Sequence, residues 1–189
     1  MDSALAWIGQ LAQWFGQFFP RWTIVIPQRR GIKYVRGRKV VVCEPGIHWF
    51  WPVTTLWQDW PVMRQGVSLP SQTMVTVDDK TIEASGMLIY SVSDIETFML
   101  RSYSPDHLVQ EIALTAIHDV CCSMTWDELK GEQRKGTLDT KLKNAAKAQL
   151  KDYGVEVVKC MLTTLGPSRI LKLVQASAEL TGVNPVRSN

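Results

Sequence analysis

Residues 3–19 run Ser-Ala-Leu-Ala-Trp-Ile-Gly-Gln-Leu-Ala-Gln-Trp-Phe-Gly-Gln-Phe-Phe without a single charge. At about 100° per residue, Trp7, Ile8, Leu11, Trp14, Phe15, Phe18 and Phe19 fall on one broad face. Ser3, Gly9, Gln10, Gln13, Gly16 and Gln17 gather on the other. The spacing predicts an amphipathic helix about 25 Å long at ~1.5 Å per residue, capped by Asp2 or Ser3 and stopped by Pro20.

The pattern then changes period. Apolar runs at Ile32–Val35, Val40–Cys43, Gly66–Leu69, Met74–Val77 and Ile82–Val92 predict strands, with Gly37 turning the chain between the first two and Pro45-Gly46 turning it again. Ser104-Pro105 opens a helix to Cys122, whose apolar half holds Leu108, Val109, Ile112, Ala113, Ala116, Ile117 and Val120. Thr125 and Glu128 have the spacing of a capping box for a second helix. A third covers Thr137–Tyr153, with Gly154 as its stop, followed by a strand over Val155–Leu165 and a last helix over Ser168–Thr181. Strands first and helices alternating with strands afterwards predict a mixed α+β fold. The organisation expected is an apolar helix at 1–22, a β-rich lobe at 23–85, an α/β lobe at 86–167 and a short helix and tail at 168–189.

Tryptophan sharpens this picture. Seven of the eight (Trp7, Trp14, Trp22, Trp49, Trp51, Trp57 and Trp60) precede residue 61. An apolar ring with one N–H donor suits a membrane–water interface, and burial in a core does not explain such one-sided crowding. For residues 3–19 a secretory signal is a poor reading, because no Lys or Arg precedes the run and no small-residue cleavage site follows it. The length is short for a span. A monotopic helix lying in one leaflet is the favoured reading; a single span packed against other copies and an ordinary core helix are the alternatives. Trp49, Phe50 and Trp51, between Pro-Gly and Pro52, are expected to form a second apolar contact, with Trp57 and Trp60 nearby.

The net charge of +3 matters only through its distribution. Arg29, Arg30, Lys33, Arg36, Arg38 and Lys39 crowd just after the apolar segment. Only Tyr34 interleaves them, which argues against a nucleic-acid surface. Contact with anionic lipid headgroups is the expectation, and the same bias places the main domain on the cytoplasmic side. The four cysteines (Cys43, Cys121, Cys122, Cys160) lack a CxxC spacing and read as reduced thiols. His107, Glu111, His118 and Cys122 form a polar stripe on the 105–122 helix. Glu111 and His118 are about 10 Å apart along the axis, too far to share an ion with the others. No catalytic residue, metal site or cofactor is expected.

The ordered fragments resemble the SPFH, or band 7, family of stomatin and prohibitin type. They are Arg30-Gly31-Ile32-Lys33-Tyr34-Val35-Arg36-Gly37-Arg38, then Glu44-Pro45-Gly46-Ile47-His48-Trp49-Phe50-Trp51-Pro52, then Asp59 and Arg64, then Leu69-Pro70-Ser71-Gln72 and Val75-Thr76-Val77-Asp78-Asp79-Lys80. Tyr90-Ser91-Val92-Ser93-Asp94, Tyr153-Gly154-Val155 and Leu165-Gly166-Pro167 complete the set. Asp79-Lys80 stands where the family has Asp-Gly, so a differently built turn is expected there. The resemblance implies a membrane-attached, non-enzymatic scaffold that forms homo-oligomers and acts on a membrane protease or channel. In the family the segment after Pro167 leads into an inter-subunit helix, so Ile170, Leu173, Val174 and Leu180 are the expected oligomerisation face. That segment is about twenty residues here, which predicts an assembly weaker than a long coiled coil gives. A monomeric peripheral lipid-binding module and a soluble enzyme are the alternative functions.

Overall fold

The structure, a computed structural model, describes residues 19–168. The expected N-terminal helix and the expected face at Ile170, Leu173, Val174 and Leu180 lie outside the described residues.

Five short strands come first: β1 (Arg21–Val25), β2 (Arg29–Val35), β3 (Lys39–Cys43), β4 (Gly46–Phe50) and β5 (Thr55–Pro61). They form an antiparallel β1-β4 ribbon and an antiparallel β3-β2-β5 sheet. Two long strands, β6 (Gln65–Val75) and β7 (Thr81–Val92), lead to four helices: α1 (Ile95–Leu100), α2 (Pro105–Cys122), α3 (Trp126–Lys135) and α4 (Thr137–Leu150). A 3-10 turn at Lys151–Tyr153 delivers the chain to β8 (Val155–Pro167). The order β6-β7-β8 makes a second antiparallel sheet, with α2 and α4 on its inner face. The fold is of the mixed α+β class.

Periodicity explains the second lobe. On β7 every second residue is buried: Ile82, Ala84, Leu88, Tyr90 and Val92 face the helices, and Gly86 keeps the same phase. Val109, Ala113, Ala116, Ile117 and Cys121 of α2 and Leu138, Leu142, Ala146 and Leu150 of α4 close that core at helical spacing. Both halves of the Thr125/Glu128 capping box are present. Asp78 accepts from the Trp126 N–H at 3.0 Å, fastening the β6–β7 turn to the start of α3. Lys80, then the Thr76 hydroxyl, hold the Asp78 carboxyl well below the usual range. Its contribution to stability is therefore present at neutral pH and lost only as pH falls through that lowered value.

Several expectations change. The runs Gly66–Leu69 and Met74–Val77 belong to one strand, β6, whose register shifts between Leu69 and Gln72. Pro70 cannot donate to a ladder, and a bulge on an edge strand accommodates it. Residue 85 lies inside β7, and β6 and β7 share one sheet with β8, so the first lobe is taken as β1–β5. In the β6–β7 turn Asp79 adopts φ 57°, so the left-handed position is taken by an aspartate, which tolerates it better than most residues. The lobes meet where Trp60 packs on Phe98 at 5.9 Å and where the Val92 N–H of β7 reaches the Val62 carbonyl at 3.3 Å.

Candidate functional site

The β1-β4 ribbon pairs Trp22 with Trp49 and Ile24 with Ile47. Directly opposed residues share a face, so these four side chains form one apolar surface. Their exposures are 72% for Trp22, 71% for Ile24, 66% for Ile47 and 60% for Trp49. The indoles contact each other, with centroids 5.6 Å apart. The opposite face of the ribbon is the one packed on the molecule: Val25 is buried, Phe50 stacks on Trp57 at 5.9 Å, and His48 lies 6.0 Å from the same ring. A ribbon with one wet, apolar face and one anchored face is unusual, because exposing such rings to water is unfavourable by ~25 cal/mol per Å².

The apolar surface continues around one end of the lobe. Phe19 and Pro20 precede β1, and Trp51, Val53 and Leu56 follow β4; all five are exposed. Arg21, at the start of β1, pairs with Phe50 at the end of β4, so the chain before residue 19 joins the fold at this end. The basic hairpin between β2 and β3 meets it there as well. The Arg36 N–H donates to the Thr54 carbonyl at 2.7 Å, and Val35 is in register with Thr55.

Here the basic run divides. Arg29 forms an ion pair with Asp59 at 2.6 Å and Arg30 with Glu44 at 3.2 Å. Both sit at the far end of β2, about 20 Å from Arg36 at ~3.3 Å per residue. Lys33 donates to the Trp49 carbonyl at 2.9 Å and lies over the Trp57 ring. Arg36, Arg38 and Lys39 form no ion pair among the described residues. The segments 19–22, 34–42 and 47–56 that build this end contain no Asp or Glu.

The model of the SPFH domain / Band 7 family matches residues 23–179. The chain belongs to the SPFH / band 7 family. It is 25% identical over 157 residues to an uncharacterized protein of Methanocaldococcus jannaschii, covering 81% of this chain and 76% of that one. An uncharacterized protein of Archaeoglobus fulgidus is 22% identical over 157 residues, covering 82% of this chain. The match spans only 62% of the Archaeoglobus protein's length. At the coarse level the family assigns this SPFH chain to membrane-associated scaffolds.

Against this background the expected residues of the SPFH domain redistribute. Trp49 and Trp51 are exposed, whereas Phe50 is half-buried against Trp57 because neighbours in a strand face opposite sides. Trp57 lies over Gly31, where a Cβ would come within 2.4 Å of its ring, and Trp60 lies in the seam between lobes. Neither belongs to the exposed surface. Trp22, named in the sequence only among the crowded tryptophans, does, and so do Ile24 and Ile47, which sequence reasoning left out; the alternation of Trp22 with Ile24 and Ile47 with Trp49 was the available signal. Among the described residues no helix is long and apolar enough to cross a membrane. On α2, Cys122 Sγ lies 3.5 Å from His118 Nε2, and among the described residues His, Cys, Asp and Glu do not gather in threes suited to a metal.

Proposed function

We propose that the chain is a non-enzymatic, membrane-attached scaffold that self-associates to organise a membrane patch. The observation that carries the membrane half is the exposed Trp22–Trp49 and Ile24–Ile47 face, which lies beside the point where the uncharged segment 3–19 joins the fold. Covering such a face with the interfacial zone of a bilayer removes it from water while leaving the indole N–H groups a polar neighbourhood. In this reading the 3–19 helix and the ribbon are two weak contacts that together hold the domain on one leaflet, facing the cytoplasm. The assembly would act on a membrane-bound protease or channel by fixing where it sits.

Self-association rests on family membership and on the apolar spacing of Ile170, Leu173, Val174 and Leu180. A monomeric lipid-binding module, docking through this same exposed end, is the alternative. Size-exclusion chromatography with light scattering on detergent-extracted protein separates the two. We expect a large oligomer, and the Leu173→Asp/Leu180→Asp variant is expected to run as a folded monomer. A monomeric unaltered chain would favour the lipid-binding module, and an unchanged oligomer in the variant would remove that face from the interface.

A further inference from the structure

We infer that the docking end selects anionic phospholipid bilayers, and that Arg36, Arg38 and Lys39, rather than the whole basic run, make the selection. The inference rests on the docking reading above and names the lipid chemistry that it leaves open.

The division of the basic run supports it. A guanidinium already paired with a carboxylate has little charge left to offer a headgroup, and Arg29 and Arg30 are so paired with Asp59 and Glu44. They also sit at the other end of β2, about 20 Å from Arg36 at ~3.3 Å per residue and away from the loop that carries Trp51 and Val53. Arg36, Arg38 and Lys39 differ in both respects. They have no carboxylate partner among the described residues, and the Arg36–Thr54 backbone bond of 2.7 Å fixes their hairpin to the loop carrying Trp51 and Val53. The open cavity between them, lined by Tyr34, Arg36, Pro52, Val53 and Leu56, has basic and apolar walls side by side. A bilayer surface presents the same two layers in order, with phosphates outside and acyl chains beneath. When Trp22 and Trp49 reach the interface, the hairpin is therefore held at headgroup level. Arg36 and Gly37 both take positive φ (51° and 65°), so the turn is tight and the three cations are carried within four successive residues.

Each Lys or Arg near an anionic surface strengthens binding about fivefold, so the three together should give roughly 100-fold. The test is sedimentation of the full chain with phosphatidylcholine vesicles and with vesicles of phosphatidylcholine plus phosphatidylglycerol. Three proteins are compared: the unaltered chain, Arg36→Gln/Arg38→Gln/Lys39→Gln, and Arg134→Gln/Lys135→Gln/Lys147→Gln, which removes equal charge from the exposed helices. We expect the unaltered chain and the helix variant to prefer the anionic vesicles by about 100-fold, more weakly at higher salt. The hairpin variant should lose most of that preference and keep its binding to phosphatidylcholine. Equal binding of the unaltered chain to both vesicles, or equal loss in the two variants, would overturn the inference and leave the docking reading intact. A chain that binds neither vesicle would overturn both.

Discussion

Replacing Gly154 by alanine is expected to lower stability by about 3 kcal/mol, a fall in Tm of roughly 10 °C. Gly154 has φ 70°, closing the 3-10 turn before β8, and an added Cβ would lie 2.4 Å from the Asp94 carbonyl oxygen. The neighbour is backbone and cannot swing aside. Its position is set from both directions, because the Ser93 and Asp94 N–H groups donate to the Gly154 carbonyl at 2.9 and 3.1 Å. Left-handed strain and the steric contact therefore add. Gly131→Ala is the control: in the α3 interior nothing lies within 4 Å of its added Cβ, and alanine should be neutral or stabilising by about 1 kcal/mol. Thermal unfolding by circular dichroism checks the pair, and an unaltered Tm for Gly154→Ala would contradict this corner of the fold.

Removing the ribbon's rings should have the largest effect on location. Trp22→Ser with Trp49→Ser is expected to weaken vesicle binding of the full chain by about two orders of magnitude, since each ring contributes on the order of 1–2 kcal/mol at an interface. Both side chains are mostly in water, so Tm should hardly move. Phe50→Ser should do the reverse, because Phe50 stacks on Trp57 and supports the lobe. Loss of Tm with unchanged binding in the Trp22/Trp49 variant would mean that these rings are structural.

How legible all this was depends on where the determining contacts lie. The α2 face, the Thr125/Glu128 box and the alternation on β7 are local, and each could be read within one or two turns or pleats. The β1-β4 ribbon could not, since Trp22 finds Trp49 across two intervening strands. Its apolar residues also face outward, which inverts the pattern that marks a buried strand. The division of the basic run was hidden for a related reason: the carboxylates beside Arg29 and Arg30 come from Asp59 and Glu44, 30 and 14 positions away. Proximity in sequence grouped six cations that the fold separates. Trp57 and Trp60 looked alike beside Trp49 and Trp51, yet one lies over Gly31 and the other on Phe98. Composition could not separate them; only register does.

If the exposed ribbon end of the first lobe meets the bilayer as proposed, probes along the fold will lie at different depths. An environment-sensitive fluorophore would be attached at Ile47→Cys or, for comparison, at Thr73→Cys on the exposed edge of β6. The background is Cys122→Ser, because the remaining thiols are buried, and burial pushes Cys121 up to about 12 and Cys160 up to about 11, leaving them poorly reactive. On anionic vesicles carrying a lipid-attached quencher, the label at 47 should shift to the blue and be quenched, while the label at 73 should report water throughout. Quenching at 73, or a label at 47 that still reports water on vesicle-bound protein, would contradict the account.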